Sequence, residues 1–339
     1  MQPFEYLQWI RQINPLYGIT LVMSPNSTLS DSLRIYQRIS KNICSVIRGQ
    51  DNAVRKLLAA FFSGQHVLLE DMPGTGKTTM AKALSTSIDC DFQRIQFTPD
   101  LLPSDVMGIS IYDQQHQEFS FHQGPIFTHI LLADEINRAP PRTQSALLEA
   151  MAEKQVSIDN KQYKLDDVFF VIATQNPAES HGTYPLPEAQ LDRFGLRFSL
   201  GYVSVDQEIQ MLNDQLLAHP LTELKHCANR NDVLTVHSAI KKITVSEVLK
   251  QYIVDIVAAT REAKGVKIGA SFRASLTLLQ VSQALAMFDE QTFVSPDHIQ
   301  EIAVSILAHR LLLDQKSQFS GENAESIVSE IIDRIVVPT

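Results

Sequence analysis

Asp71-Met-Pro-Gly-Thr-Gly-Lys-Thr78, one residue after the apolar run Val67-Leu68-Leu69, decides the fold class. A buried strand that opens into a glycine loop and then a helix predicts a phosphate cradle. Backbone N–H groups released by Gly74 and Gly76 point at phosphate oxygens, and the positive end of the helix starting near Lys77 faces them. On this pattern Met72, Pro73, Gly74, Thr75, Gly76, Lys77, Thr78 and Thr79 are the candidate nucleotide-binding residues. Lys77 would reach the β and γ phosphates, and Thr78 would supply a hydroxyl to Mg²⁺. The strict pattern has a glycine where this chain has Asp71, a residue type that tolerates left-handed backbone better than most.

Working outward, Ile130-Leu131-Leu132-Ala133 reads as a strand buried on both faces, ending in Asp134-Glu135. In an open parallel sheet, ligands sit beyond the carboxyl ends of the strands, so these carboxylates and Lys77 are expected to converge. Asp134 is the candidate metal residue, acting through water, and Glu135 the candidate that orients and deprotonates an attacking water. A third apolar strand, from Val168 to Ala173, leads into Thr174-Gln175-Asn176-Pro177. It places the Asn176 amide at the same edge as a candidate sensor of the γ-phosphate, with plain turn chemistry as the alternative.

Several ordered stretches carry a more specific likeness. They are Phe97-Thr-Pro-Asp-Leu-Leu-Pro-Ser-Asp-Val-Met-Gly108, Gly124-Pro-Ile-Phe127, Ala133 to Met151, Ala173 to Pro177, Gly182 to Phe194 and Gly269-Ala-Ser-Phe-Arg-Ala274. Together with the glycine loop the set resembles the MoxR family of AAA+ ATPases over roughly residues 40 to 313. The resemblance implies an α/β fold: a three-layer αβα P-loop domain with a parallel sheet, plus a smaller all-helical lid. Expected boundaries are an amino-terminal extension at 1–30, the nucleotide-binding domain at 31–203 and the lid at 204–339.

By resemblance, Lys77 and Thr78 are the Walker A pair, Asp134 and Glu135 the Walker B pair, and Asn176 is sensor 1. Arg193 resembles the arginine finger that reaches a neighbouring subunit, with Arg197, taken as one helical turn on, as the alternative. Arg273 resembles sensor 2, delivered from the lid. The family usually has Pro where this chain has Phe272. Ile47 and Gly49, in Ile47-Arg48-Gly49-Gln50, resemble the adenine-side loop, an ordinary turn before a helix being the alternative. The cofactors implied are ATP and Mg²⁺. The partners implied are further copies of the chain in a ring, expected as a hexamer, and a von Willebrand A domain protein beside a client complex.

Composition agrees with these expectations. The 339 residues, 44% of them hydrophobic, suffice for about two domains with real cores. Net charge is −9 and both halves of the chain are acidic. This argues against nucleic acid as the main partner, because nonspecific binding to it needs a cationic surface. The rival reading as a nucleic-acid translocase or helicase is therefore disfavoured, and intact Lys77, Glu135 and Arg193 disfavour a nucleotide-binding scaffold that barely hydrolyses. No apolar run approaches the roughly 20 residues of a bilayer span, so no membrane insertion and a cytoplasmic location are expected. Cys44, Cys90 and Cys227 are too few and too scattered for a disulfide framework or a metal set, and are assigned to packing.

Local patterns complete the expectations. Asp51 to Phe62 predicts a helix stopped by Gly64, and Phe92 to Phe97 predicts a buried strand. Two hairpins, Ile109–Tyr112 with Glu118–Phe121 and Val156–Asp159 with Gln162–Leu165, are expected to add nothing to the core. In the resembled family such inserts stand at the ring's axial face, and decorative surface hairpins are the alternative. Thr244-Val-Ser-Glu247 predicts a capping box and Ser295-Pro296 a helix start.

Overall fold

Five parallel strands form the sheet on which the site is built, and the burial of the three central ones follows directly from sequence pattern. In a computed structural model, residues 25–72, 74–176, 182–217 and 220–338 are described. The helices are α1 (Pro25–Val46), α2 (Asp51–Phe62), α3 (Lys77–Ile88), α4 (Pro103–Met107), α5 (Pro141–Glu153), α6 (Glu188–Leu191), α7 (Val205–Leu217), α8 (Pro220–Glu223), α9 (Arg230–Ile240), α10 (Glu247–Glu262), α11 (Phe272–Phe288), α12 (Pro296–Leu307), α13 (Gln315–Ser320) and α14 (Ala324–Arg334). The sheet strands are β1 (Val67–Glu70), β2 (Phe92–Gln96), β5 (Ile130–Asp134), β8 (Phe170–Gln175) and β9 (Leu196–Phe198), in the order β2-β5-β8-β1-β9. Two antiparallel hairpins, β3 (Gly108–Asp113) with β4 (Glu118–Gln123) and β6 (Gln155–Ile158) with β7 (Lys161–Lys164), interrupt this plan. A short pair, β10 (Val266–Ile268) with β11 (Leu312–Leu313), lies among the lid helices.

The central strands alternate between two cores. Val67 and Leu69 of β1, Ile130 and Leu132 of β5, and Phe170 and Ile172 of β8 face one apolar cluster; Leu68, Leu131, Ala133, Val171 and Ala173 face the other. All are at most 2% exposed, which is why these strands read as continuous apolar runs with no polar face. The first cluster continues through α1, α2 and α3 into the helical part of the chain, where α10, α11 and α12 bury their stripes. Full burial of each Leu, Ile or Phe contributes roughly 1.5–3 kcal/mol. The three cysteines are free and partly buried against this cluster, and burial raises their thiols, Cys44 and Cys90 to about 11.

Several expectations need correction. β2 is an edge strand with only Ile95 buried, so the reading of 92–97 as a buried strand fails for all but Ile95 and the following Phe97. Edge position depends on strand order, which a local apolar count does not contain. Helix α1 runs through the boundary expected at 30/31 and buries Ile35, Ile39 and Ile43, while residues 1–24 lie outside the described set. Both hairpins form, but Val156 and Leu165 of the second are buried in the sheet's second cluster, so that hairpin does contribute to a core. The cap of α10 is Ser246, whose hydroxyl accepts from Leu249 N at 3.3 Å; Thr244 is instead bridged to the Phe293 segment. The Ser295 start of α12 forms as expected, with His298 Nδ1 accepting from Ser295 N at 2.9 Å.

Histidines held neutral inside the fold, His66 and His237 among them, set an acid limit. His66 Nδ1 accepts from Val171 N at 3.0 Å and its Nε2 faces Met151 O at 3.3 Å; His237 Nε2 faces Phe61 O at 3.2 Å. Desolvation pulls both rings down to about 4. The unfolded chain takes up these protons below its ordinary histidine value near 6.5, whereas the folded chain holds out until near 4. Stability is therefore intact above about 6.5 and drains away as pH falls from there to about 4. The expected loss is about 3 kcal/mol for His66 by pH 4, and less for the partly buried His237. Denaturant unfolding at pH 7.5 and 4.5 checks this: the difference should shrink in His66→Gln, and an unchanged difference would remove His66 as its source.

Candidate active site

Gly74 and Gly76 adopt φ +87° and +93°, and a Cβ built at either would meet no atom within 4 Å. Glycine is needed there for the backbone, which turns through the left-handed region to lay N–H groups around an open space. Gly76 is the N-cap of α3, so Lys77 and Thr78 stand in its first turn at the helix's positive end. Lys77 Nζ donates to the loop carbonyls of Asp71 and Met72, both at 2.9 Å, which lays the lysine across the mouth of the loop. Thr75 Oγ1 donates to Met72 O at 3.2 Å. Pro73 lies outside the described residues.

Asp71 does not take the left-handed conformation allowed for it above. Only 6% exposed, its carboxylate accepts from Leu200 N at 2.6 Å and Gly201 N at 3.2 Å, tying the phosphate loop to the chain leaving β9. The acid occupies the glycine position because it makes two charge-assisted bonds across 129 residues of sequence, a relation that local turn chemistry could not reveal.

One cavity of about 380 Å³ is lined by Gly74, Gly76, Lys77, Thr78 and Thr79 on one side and by Asp134, Glu135, Thr174, Gln175 and Asn176 on the other, with Arg94 and Gln96 at its edge. Convergence follows from strand order: β1, β5 and β8 end on the same side of the sheet. Thr174 Oγ1 donates to Asp134 Oδ1 at 2.6 Å and accepts from Glu135 N at 2.9 Å, fixing the two acids against each other. Glu135 sits at φ +56°, a conformation that costs about 1 kcal/mol or more for a residue with a side chain, and it turns the carboxylate out of the strand direction. Its Oε2 accepts from Gln96 Nε2 at 2.7 Å and pairs with Arg138 Nε at 3.0 Å. Gln144, fully buried, donates to the carbonyls of Ile136, Ala139 and Tyr184 and so pins the turn after the acid pair.

A second cavity, about 140 Å³, adjoins the loop and is lined by Val46, Ile47, Arg48 and Gln50, by Gly74 to Gly76 and Thr79, and by Met211 and Pro220. Ile47, 6% exposed, is where an apolar base edge would pack. Gly49 is not in its lining. At φ +72°, with Gln207's side chain 2.3 Å from any Cβ placed there, Gly49 shapes the turn and makes room for Gln207.

Arginines resembling family roles fall elsewhere. Arg193 follows α6 in the segment Asp192–Gly195, and its side chain makes no ion pair or hydrogen bond among the described residues. The neighbouring acid, Asp192, bonds elsewhere: to Arg310 Nε at 2.8 Å, Arg273 at 3.1 Å and the Ser271 hydroxyl at 3.2 Å. Arg197 lies on β9, not one helical turn along, and pairs with Glu325 at 2.6 Å and Glu70 at 3.4 Å. Arg273 lines neither cavity; its Nη1 pairs with Asp192 Oδ2 at 3.1 Å. Phe272, 69% exposed, opens α11 after an extended Ser271, so the helix begins where the family's proline would fit. Sequence reading missed Arg94, Gln96, Thr174 and Gln144. Polar residues at alternate positions of a supposed buried strand were the available signal for the first two.

Thr78 and Asp134 suit Mg²⁺, which takes a hydroxyl and one or two carboxylates and relies on phosphate and water for the rest. Among the described residues, no group of three or more His, Cys, Asp or Glu could hold an ion alone.

The comparisons agree with this geometry. Residues 66–196 match the ATPase family associated with various cellular activities, and residues 258–331 match the AAA lid domain. The chain is 35% identical to Chaperone MoxR1 of Mycobacterium tuberculosis over 319 residues, covering 91% of this chain and 84% of that protein. The chain belongs to the MoxR family of AAA+ ATPases. This MoxR-family chain is also 46% identical to the uncharacterized protein YeaC of Bacillus subtilis, over 88% of its own length and 93% of YeaC's. A crystal structure of a Cytophaga hutchinsonii protein, provisionally described as an ATPase, superposes with a TM-score of 0.85 at 39% identity, covering 93% of this chain and 99% of that one. Among the described residues of this MoxR-family chain, no helix is long and apolar enough to cross a membrane.

Proposed function

We propose that the chain hydrolyses ATP with Mg²⁺ in a ring of identical subunits and uses the energy to remodel or mature a client protein complex. The observation carrying this reading is the single cavity that gathers Lys77, Thr78, Asp134, Glu135 and Asn176. Gly74 to Thr79 cradle the phosphates, Lys77 moves from its loop carbonyls to the β and γ oxygens, and Ile47 packs on the base. Thr78 and, through water, Asp134 would hold the metal, which would supply positive charge to offset that of the phosphates. Glu135 orients and deprotonates the attacking water, and Asn176 contacts the γ-phosphate. Arg193 completes the neighbouring subunit's pocket, and Arg273 acts as the lid's sensor 2.

The remodelling role is supported by the name of the relative Chaperone MoxR1 and by the exposed hairpin residues Ile109, Ile111, Tyr112 and Phe119, which offer an apolar surface to a polypeptide. A hexameric ring and a von Willebrand A domain partner belong to the same proposal. Affinity capture with Glu135→Gln in ATP should retain client and partner; recovery of nucleic acid alone would favour a translocase.

Lys77→Ala tests the binding half. Losing the ammonium is expected to remove about 3 kcal/mol, roughly a hundredfold in nucleotide Kd. Calorimetric titration with ATP checks this, and unchanged affinity would take Lys77 out of the site.

A further inference from the structure

We propose that Arg94 is an electrostatic latch on the metal-side carboxylate, keeping Asp134 paired until magnesium-bound nucleotide takes that carboxylate over. This rests on the ATPase reading above. Arg94 stands on edge strand β2 and lines the same cavity as Lys77 and Thr78. Its Nε and one Nη donate to the same oxygen, Asp134 Oδ2, at 3.1 and 2.6 Å, and that Nη also donates to Gln96 Oε1 at 2.9 Å. Asp134 Oδ1 already accepts from the Thr174 hydroxyl at 2.6 Å.

A carboxylate has about four lone-pair sites. Three are filled here, so ligation of a cation, direct or through water, has one site left unless a partner moves. The guanidinium also puts a positive charge against the oxygen a divalent cation needs. Burial decides which partner moves: the Asp134 side chain is 13% exposed and held by Thr174, whereas Arg94 is 46% exposed. Arg94 therefore swings. Its forked, permanently charged head can grip Asp134 and Gln96 together, which a lysine could do only as a single point charge.

The test is binding of a fluorescent ADP analogue to the full chain, titrated with Mg²⁺, for wild type, Arg94→Met and Arg94→Lys. Arg94→Met should lower the half-saturating Mg²⁺ concentration about fivefold, the equivalent of the roughly 1 kcal/mol expected of a half-exposed pair. Arg94→Lys should shift it less and in the same direction, and it decides the matter if the methionine variant does not fold. A half-saturating concentration that is unchanged or higher in a folded variant would overturn the latch. Nucleotide binding by wild type without any Mg²⁺ dependence would overturn the latch and leave the nucleotide site standing; no nucleotide binding by wild type would overturn both.

Discussion

Arg193→Ala is expected to cut ATP turnover by about 10³-fold or more while leaving nucleotide affinity nearly unchanged, because arginine fingers contribute about 10³–10⁵ to the rate of phosphoryl transfer. The expectation comes from what the side chain does not do. Asp192, the acid beside it, is committed to Arg310 and Arg273, and Arg193 is left without a side-chain bond among the described residues. The loop that carries it is held firmly: Arg310, almost fully buried, donates to the carbonyls of Phe194 at 2.8 Å and Gly195 at 3.2 Å as well as to Asp192. A cation on a rigid loop that pairs with nothing among the described residues suits a pocket on another subunit. Mixing supplies the decisive readout. Arg193→Ala subunits should poison wild-type activity more than in proportion to their fraction, and simple linear dilution would count against action across an interface.

Glu135→Gln should bind ATP as tightly as wild type and turn it over about 10²- to 10⁴-fold more slowly, the usual worth of a positioned general base. Glutamine keeps the size and can still accept from Gln96 and Arg138, so the turn at Glu135 should survive; only the ability to take a proton from water is lost. Single-turnover measurement of phosphate release with prebound ATP checks this directly. Turnover equal to wild type would remove Glu135 from its role.

Much of this site was legible in the sequence because its constraints are local. A glycine loop after an apolar strand, and a strand ending in two acids, each state their chemistry within about ten residues, and the parallel-sheet rule brings their ends together. What escaped depends on neighbours far along the chain. Arg94 and Gln96 matter because β2 is an edge strand lying beside β5, and 92–97 seen alone reads as one more buried strand. Asp71 reads as an imperfect glycine until Leu200 and Gly201 fold back onto it. Arg273 resembles sensor 2 by its motif; its pairing with Asp192 is set by how α11 docks against that loop, and nothing in Gly269 to Ala274 encodes that. Gly49 carries a second constraint that its motif does not state, a left-handed backbone closed over Gln207.

The most direct measurement is Mg²⁺-dependent phosphate release from ATP by the purified chain over a range of protein concentrations, with Lys77→Ala as control. A pocket finished by a neighbouring subunit predicts turnover per subunit that climbs with concentration as rings assemble and is absent in Lys77→Ala. Wild-type chain that releases no phosphate at any concentration, even when assembled, would contradict it.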